Sequence, residues 1–226
     1  MKIAVLLSGC GVYDGSEIQE SVLSLLAISQ AGHQYTCFAP DIIQTEVINH
    51  LNGELKSETR NVLEESARIA RGQIQPLTAL RSADFDALWL PGGFGVAKNL
   101  TRWATQGPDG AIEPSVAAII QEWIQSNKPL AALCMAPTTV AKALQGTHIA
   151  VTLTIGNQSQ PSPYDIAAIE AGIKVCGANP VACLIGDITI DRAHKLVTAP
   201  CYMMETTLPT LAKECQDIVA ALEALV

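Results

Sequence analysis

The stretch LAALCMAPTTV, residues 130–140, runs apolar up to a cysteine and then changes to residues typical of the start of a helix. The uncharged run before Cys134 has the composition of a buried strand. Pro137 fits the first turn of a helix, where the N–H group that proline lacks has no intrahelical partner. The stretch therefore predicts a strand over 129–134, a tight turn at Cys134 and a helix over 137–144. Cys134 is then either a reactive thiol presented at that turn or one more small hydrophobic side chain.

The first forty residues repeat this pattern of strand and helix. KIAVLL at 2–7 has the composition of a strand, and a glycine-rich loop follows it. Ser16 and Gln19 fit a capping box that starts a helix, and Gly32 fits its end. QYTCFAP at 34–40 then predicts a second strand, parallel to the first. The apolar residues of the helix recur at helical spacing: Ile18, Val22, Leu25 and Leu26.

Further elements alternate along the rest of the chain. One helix is expected within 57–72, with Ser57 as its N-cap and Gly72 at its end, and a buried strand at 86–95 stops at Pro-Gly-Gly. The other expected elements are a helix over 113–128, a strand within 148–156, a helix over 162–172, a hairpin over 187–200 and a final helix over 207–225. This alternation predicts one α/β domain over 1–226, a doubly wound, mostly parallel sheet with helices on both faces and a β-hairpin. Such sheets bind ligands beyond the carboxyl ends of their strands.

The composition argues against several classes of function. The 226 residues carry a net charge of −8 without a cluster of Lys or Arg, and only three Trp and three Phe are present, so no feature favours nucleic-acid binding,. Seven cysteines form no Cys-x-x-Cys motif, which argues against a zinc site or a disulfide framework and favours a reducing compartment,. No apolar run approaches the about 18 residues of a membrane span. We therefore expect a soluble, cytoplasmic protein without nucleic-acid or membrane partners.

Three loops at predicted strand ends can hold reactive groups: SGCGVYDGSE at 8–17, PGGFG at 91–95 and the turn at Cys134. A thiol at a strand-to-helix turn lies near the positive end of the helix dipole, which lowers its pKa and favours the thiolate. Gly92 and Gly93 add backbone amides that can approach an oxyanion closely, because glycine has no Cβ. The alternative for Cys134 is packing in the core, as we expect for three other cysteines: Cys37, Cys176 and Cys183.

Glu17 is the candidate acid or base. It follows the glycine-rich loop at a strand end, where its carboxylate can reach over the sheet and accept a proton. The alternative is a solvated carboxylate that merely favours the helix dipole. Asp14 competes for the role, although we expect it to be a turn residue. Cys10 and Cys201 fall in loops near the same edge, and we expect them to be structural thiols.

No histidine is placed to assist Cys134. Met135 stands directly after the cysteine, and the four histidines lie elsewhere in the chain: His33, His50, His148 and His194. A Cys–His relay is therefore not visible, and no spacing of His, Cys and Asp predicts a metal site. We expect neither a metal nor a cofactor.

Eight motifs spread over residues 8–203 resemble one known family. They are SGCGVYDGSEI, FAPD, VINHL, ETRNVLEESARIARG, LPGGFGVAKNL, CMAP, LTIG and TAPCYM. Together they resemble the ElbB branch of the ThiJ/PfpI superfamily, which is related in fold to the class I glutamine amidotransferases.

The resemblance implies a flavodoxin-like α/β sandwich that forms a homodimer. It implies a nucleophilic cysteine at Cys134, a superfamily glutamate at Glu17 and an oxyanion site formed by the backbone amides of Gly93 and Met135. Members of this branch are described as glyoxalases that need neither glutathione nor metal, and they are linked by name to isoprenoid biosynthesis. Amidotransferases and PfpI-type peptidases typically place histidine directly after the cysteine. The presence of Met135 there, and the absence of histidine from TLTIG at 152–156, argue against glutaminase or peptidase activity.

The resemblance, together with the residues at the strand ends, thus predicts a cofactor-independent, glyoxalase-like enzyme that converts glyoxal or methylglyoxal to hydroxy acids. A small reactive aldehyde would add to Cys134 as a hemithioacetal, and Glu17 would move the proton between adjacent carbons. One alternative is a redox- or metabolite-sensing protein of the same superfamily, associated with isoprenoid biosynthesis, in which Cys134 is oxidised. Another is a non-catalytic subunit or scaffold that has kept the pocket.

Overall fold

Nine strands and seven α-helices alternate along the chain, and the computed structural model describes residues 1–226. The strands are β1 (Lys2–Leu6), β2 (Gln34–Ala39), β3 (Ile74–Pro76), β4 (Ala87–Leu90), β5 (Leu130–Leu133), β6 (Thr152–Leu153), β7 (Asn179–Pro180), β8 (Thr189–Asp191) and β9 (Leu196–Ala199). The helices are α1 (Ile18–Gln30), α2 (Val62–Ile69), α3 (Trp103–Gln106), α4 (Pro114–Gln125), α5 (Ala136–Leu144), α6 (Ile166–Val175) and α7 (Leu208–Glu223).

The central sheet confirms the predicted doubly wound, mostly parallel fold. Its seven strands run in the order β3-β2-β1-β4-β5-β9-β8, and every pair is parallel except β8 with β9, which form the expected hairpin. The order reverses between β1 and β4, and at such a switch point the loops on either side diverge and leave a crevice,. Helices cover both faces, with α1 packed on α7 and α4 packed on α5.

One hydrophobic cluster of 58 buried residues fills the space between the sheet and its helices. Strands β4 and β5 are buried along their whole length, as expected for central strands of a parallel sheet covered on both faces,. Cys37, Cys176 and Cys183 are buried, which confirms the prediction that they pack as core side chains. None of the helices combines the length and the apolar character needed to cross a membrane.

Two predicted helix starts are wrong. Helix α1 is capped by Glu17, whose carboxylate accepts a hydrogen bond from the Glu20 amide at 2.6 Å. Ser16 was expected to cap it, but its hydroxyl instead accepts the Ser8 amide at 2.8 Å, because the loop after β1 folds back onto its own start. Helix α2 begins after Asn61, which accepts the Glu64 amide, and not after Ser57.

The buried face of α1 differs from the apolar stripe in its sequence. Ile18, Val22 and Leu26 recur at helical spacing, yet they are 45%, 48% and 47% exposed. The buried face consists largely of small and polar residues: Glu20, Ser21, Ser24, Leu25, Ala27 and Ile28. Small side chains let α1 approach the sheet and α7 closely, and the face also carries an acid into the interior.

The sequence is least informative for three short strands, β3, β6 and β7. The expected strand within 148–156 contributes only Thr152–Leu153, which pairs with Asn179–Pro180 in a separate two-stranded sheet. The edge strand Ile74–Pro76 has three residues and ends in proline, so it carries no pattern that sequence periodicity detects,.

Candidate active site

Four loops meet at the carboxyl edge of the sheet. They follow the neighbouring strands β1, β4, β5 and β9 and comprise the glycine-rich loop at 8–15, the Pro-Gly-Gly loop at 91–93, the Cys134 turn and the Cys201 turn. Asn99 fixes the first of these, because its side-chain amide donates to the carbonyl oxygens of Ser8 and Asp14, each at 2.9 Å. The predicted convergence of loops is therefore present.

Cys134 occupies the tight turn that the sequence predicts. Its φ is 56°, a left-handed conformation that is uncommon for residues other than glycine, and its amide donates to the Ala199 carbonyl at 3.0 Å,. Non-glycine residues in this region cost free energy and cluster at functional sites. The side chain is directed toward the loop after β4, and the residue is only 4% exposed.

The carboxyl group that contacts Cys134 belongs to Glu20. This residue is fully buried, and its side chain lies within hydrogen-bonding reach of the Cys134 thiol. The Gly92 amide donates to Oε2 of Glu20 at 2.8 Å, and the Tyr202 amide donates to Oε1 at 3.2 Å. The loops after β4 and β9 thus hold the acid against the sulfur from two sides.

Gly92 is the position that lets the thiol and the acid meet. A Cβ at this residue would lie 2.4 Å from Cys134 Cβ, 2.7 Å from Glu20 Oε2 and 2.9 Å from Cys134 Sγ. These separations are far below van der Waals contact, so no side chain larger than hydrogen fits. The glycine requirement here comes from close packing around the reactive pair.

Glu17 does not occupy the position beside the Cys134 thiol that the sequence predicts for it. Its carboxylate caps α1 through the Glu20 amide and borders an open cleft, whereas Glu20, one helical turn later, contacts the thiol. Burial raises the pKa of Glu17, and hydrogen bonds from the helix amides oppose the rise. The assignment of the carboxyl partner of Cys134 to Glu17 is thus corrected to Glu20. The role of Glu17 in proton transfer remains a prediction.

The expected thiolate is also corrected. Burial raises the pKa of Cys134 well above its ordinary value, and the neighbouring Glu20 carboxylate adds to the rise. The amides of Gly93 and Met135 act in the opposite direction and are outweighed. Burial and the charge of Glu17 raise the pKa of Glu20 to about 8. At neutral pH Cys134 is therefore a thiol and Glu20 is largely protonated. Because the two groups interact, they titrate as a pair.

The backbone amides of Gly93 and Met135 do converge on the sulfur. Both donate toward the Cys134 side chain, one from the loop after β4 and one from the residue that precedes α5. Gly93 has a φ of 96°, a conformation that favours glycine,. An oxygen bonded to a carbon on Sγ would meet two donors here, which is the arrangement predicted for an oxyanion site. Their action in catalysis remains a prediction.

A cleft of about 650 Å³ lies near the pair, although neither Cys134 nor Glu20 lines it. It adjoins the pair through Glu17, whose amide donates to the Gly92 carbonyl at 2.9 Å, and Tyr202, whose amide donates to Glu20. Its lining residues are Val12, Tyr13, Glu17, Gln19, Pro163, Tyr164, Tyr202, Met204, Glu205 and Thr206. Burial, together with the charges of Cys134 and Glu20, raises the pKa of Tyr164 to about 12. None of the four histidines lines the cleft.

The other candidate residues have structural contacts. Asp14 is buried, and its carboxylate accepts the Ile48 amide at 2.7 Å, so it ties the segment after β2 to the glycine-rich loop. Cys10 is half-buried, and burial and the charge of Glu65 raise its pKa. Neither residue contacts Cys134 in the hydrogen-bond network. The structure contains no group of three or more His, Cys, Asp or Glu side chains suited to a metal ion.

A second cysteine turn lies beside the first. The sequence predicts a loop with Cys201 near this edge, but neither its left-handed turn nor the acid beside it. Cys201 has a φ of 48° and is fully buried. Its thiol and amide face the carboxyl group of Glu214, which accepts the Gly186 amide at 2.9 Å through Oε1 and leaves Oε2 buried without a hydrogen-bond partner. Burial raises the pKa of Glu214 to about 7.

Comparison with known proteins places the chain in a family, although no protein-family model matches it. It is 41% identical over 209 residues to the human protein called glutamine amidotransferase-like class 1 domain-containing protein 3, mitochondrial, covering 92% of this chain and 76% of that protein. A crystal structure of an isoprenoid biosynthesis protein with an amidotransferase-like domain from Ehrlichia chaffeensis superposes with a TM-score of 0.89 at 32% identity, covering 100% of this chain and 99% of that one. A ThiJ/PfpI domain protein from Brachyspira murdochii shares the fold, with a TM-score of 0.57 at 14% identity over 100% of this chain and 97% of that one. The first two findings confirm the resemblance to amidotransferase-like proteins, and the third shows the likeness in fold to a ThiJ/PfpI domain.

Proposed function

Because the chain belongs to the family of glutamine amidotransferase-like class 1 domain proteins, we propose that it is a cofactor-independent, glyoxalase-like enzyme acting on small aldehydes. The observation that carries the proposal is the meeting of the Cys134 sulfur with the Glu20 carboxyl group and two backbone amides. A nucleophile, a proton carrier and an oxyanion site are the parts that addition to a carbonyl requires.

Amide hydrolysis is disfavoured by the same site. Glutaminases and related cysteine enzymes pair the thiol with histidine, which carries a proton to the leaving nitrogen. Here Met135 follows the cysteine, and no histidine lines the cleft. An aldehyde has no leaving nitrogen, so its addition to sulfur needs only one proton to be moved over a short distance.

The first step is the formation of a hemithioacetal. The ionised fraction of Glu20 takes the thiol proton as the Cys134 sulfur bonds to the aldehyde carbon. The aldehyde oxygen becomes an oxyanion held by the amides of Gly93 and Met135, and Glu20 then returns the proton to it. A pKa of about 8 for Glu20 suits this role, because proton transfer is most efficient when the pKa lies near the working pH,.

The second step moves a proton between the two carbons of the substrate. Glu17 borders the cleft, so it is the group proposed to take the proton from the sulfur-bearing carbon and deliver it to the neighbouring carbonyl carbon through an enediolate. The product is a thioester of a hydroxy acid, which water hydrolyses to release the acid and restore the Cys134 thiol. One carbon is oxidised and its neighbour is reduced, so the reaction needs no external oxidant or cofactor.

Redox sensing is the less favoured candidate. Oxidation of a cysteine follows its thiolate character and its exposure. Cys134 is 4% exposed, and burial raises its pKa, so both properties disfavour a peroxide sensor.

Compartment and assembly are part of the same proposal. All seven cysteines are unpaired, which fits a thiol-reducing compartment,. The sequence favours the cytoplasm, whereas the human relative carries the word mitochondrial in its name. The family resemblance supports a homodimer, and light scattering of the purified protein tests this directly.

The proposal is tested by turnover of glyoxal and methylglyoxal by the purified protein, with glycolate and lactate as the measured products. Wild type is expected to form both acids, and Cys134→Ser is expected to form none above the rate without enzyme. Cys37→Ser serves as the matched control, because Cys37 is a buried core thiol remote from the turn, and it should retain turnover. Equal product formation by wild type and Cys134→Ser would overturn the proposal.

A further inference from the structure

The cleft beside Cys134 is larger than the aldehydes considered above require. Its volume of about 650 Å³ lies in the range of about 300–1,000 Å³ that is typical of sites for larger small molecules,. Glyoxal and methylglyoxal have two and three carbons and would leave most of it filled with water. The residues that line the cleft therefore indicate what else the natural substrate carries besides its reacting carbonyl group.

The charged side chains that line the cleft are all acidic. They are Glu17 and Glu205, and the lining contains no Lys, Arg or His. The cation Lys98 donates to the Tyr13 carbonyl at 2.8 Å and is paired with Glu46. Since its charge is already balanced by Glu46, the cleft keeps a negative potential within a chain of net charge −8,.

Aromatic rings form much of the remaining lining. Tyr13, Tyr164 and Tyr202 border the cleft. Tyr164 is held edge-on by Phe94 with ring centroids 5.8 Å apart, and the Tyr202 hydroxyl donates to Gln19. The faces of tyrosine rings attract cations, and carboxylates beside them strengthen the attraction. Rings and carboxylates in one cleft are a combination suited to an ammonium group.

We propose that the cleft selects carbonyl compounds that carry a positive charge, such as a protonated or quaternary amine, and disfavours anionic ones. The inference rests on the proposed function only in taking Cys134 as the reacting group and the cleft as its entrance. Small neutral aldehydes then react as incomplete substrates, and acids such as glyoxylate react poorly.

The test uses two thiol reagents that differ in charge and share one reactive group: 2-(trimethylammonium)ethyl methanethiosulfonate and 2-sulfonatoethyl methanethiosulfonate. In each case the thiolate bonds to the reagent's sulfenyl sulfur and methanesulfinate leaves, so the reaction needs no other component. Rates are measured at alkaline pH and low ionic strength, and modification of Cys134 is quantified by peptide mass spectrometry. N-acetylcysteine provides the ratio of the two rates for a thiol in free solution.

The cationic reagent is expected to modify Cys134 faster than the anionic one, with a ratio at least about tenfold above that for N-acetylcysteine, the lower end of electrostatic focusing in clefts. Glu17→Gln combined with Glu205→Gln should remove most of the preference, and Glu205→Gln alone should remove part of it. Glu223→Gln removes one negative charge, as Glu205→Gln does, but at the C-terminal end of α7, beside His33. It should leave the ratio unchanged. Raising the salt concentration should reduce the ratio in wild type, because a Debye length of about 10 Å at 0.1 M screens the carboxylates.

Three results would overturn the inference: equal ratios for Cys134 and N-acetylcysteine, a preference that persists in the double variant, or no modification of Cys134 by either reagent. The outcomes remain separable from those of the proposed function. Turnover of glyoxal with no charge preference removes only the inference, whereas a charge preference without turnover removes only the glyoxalase activity.

Discussion

The two cysteine turns at the carboxyl edge of the sheet are alike in sequence context and in local geometry. Cys134 and Cys201 both have left-handed φ values, 56° and 48°, and they follow neighbouring parallel strands in which Leu133 pairs with Ala199. Each faces a buried glutamate, Glu20 from α1 or Glu214 from α7, and these two helices pack together. A strained cysteine beside a buried acid thus occurs twice within one molecule.

What surrounds the sulfur makes the two turns different. The Cys134 turn continues into the nine residues of α5, and two backbone amides converge on its sulfur beside an open cleft. The Cys201 turn continues into a single 3-10 turn, and the residue is fully buried. Donors for an oxyanion and an adjoining cleft therefore distinguish the Cys134 pair, as a candidate site, from the Cys201 pair.

The second turn nevertheless supports the first. The residue after Cys201 is Tyr202, whose amide donates to Glu20 Oε1 at 3.2 Å. The backbone of one turn therefore helps to position the acid of the other. Changes at Cys201 or Glu214 are therefore expected to affect Cys134 only by shifting the position of Glu20.

Removing the space between thiol and acid should have the largest effect. Gly92→Ala places a methyl group 2.4 Å from Cys134 Cβ and 2.7 Å from Glu20 Oε2, so we expect turnover to be lost and the free energy of unfolding to fall by about 1–3 kcal/mol, the usual cost of overpacking,. Turnover and urea denaturation check the two effects. Gly53→Ala is the control that separates the two effects: its φ of 75° should make alanine cost stability there too, but a Cβ meets nothing within 4 Å, so turnover should be kept,. A Gly92→Ala protein with wild-type activity would show that the pair is not tightly packed.

Removing the acid from the first turn should have the next largest effect. Glu20→Gln offers one acceptor oxygen in place of two, so it keeps an acceptor for only one of the Gly92 and Tyr202 amides, and it cannot carry a proton. Turnover should therefore fall by about 10²–10⁴. Steady-state kinetics should show the loss in kcat. A loss confined to KM would instead assign Glu20 to substrate binding.

Removing the acid from the second turn should change how stability depends on pH. The pKa of Glu214 is raised from 4.5 to about 7 in the folded protein, so folding favours its protonated form. That contribution is fully present below about pH 4.5 and is lost as the pH rises to about 7, for a total on the order of 3 kcal/mol. Urea denaturation across this range should therefore show a flatter pH dependence for Glu214→Gln than for wild type, with Glu223→Gln as the control. Identical slopes for all three proteins would contradict the buried position of this acid.

The smallest effect is expected for Glu214→Gln on catalysis. Since Glu214 acts on Cys134 only through the Cys201 turn and the Tyr202 amide, turnover should fall by less than about threefold, with KM unchanged. Kinetics measured at a pH where the variant is fully folded check this. A loss comparable to that of Glu20→Gln would mean that the two turns act as one site, and the distinction between them would fail.

The sequence predicts those features that follow from the backbone alone. Alternating strands and helices place the loops after β4 and β5 side by side, so the Cys134 turn and the approach of amides from the Gly92–Gly93 loop could be predicted. The specific pair of Gly93 and Met135 was implied by the family resemblance. A nucleophile at a strand end and donors on the neighbouring loop require only the parallel order of the strands.

Glu20 could not be found in the same way, because the amphipathic pattern of α1 is misleading. The apolar stripe of Ile18, Val22 and Leu26 is exposed, while Glu20 and Ser24 lie on the buried face. Periodicity assigns the apolar stripe to the interior and so leaves Glu20 on the predicted solvent face, whereas the glycine-rich loop and the family resemblance both point to Glu17. A contrary signal does exist, since Ala27 and Ile28 continue the face that carries Glu20 and Ser24.

The protonation state of Cys134 was also beyond the sequence. The helix N-terminus lowers a thiol pKa, whereas burial and a neighbouring carboxylate raise it. The balance depends on how deeply the sulfur is buried and on which acid lies beside it, and both are properties of the packed structure. The Cys201–Glu214 pair likewise depends on how α7 docks against the loop after β9.

The contact between Cys134 and Glu20 is the central feature of the site, and the pH dependence of Cys134 alkylation by iodoacetamide tests it most directly. Glu20 raises the pKa of the thiol, so Glu20→Gln should move the onset of alkylation to lower pH, while Glu17→Gln should move it much less. A shift in Glu17→Gln together with none in Glu20→Gln would contradict the account and return the acid of the site to Glu17.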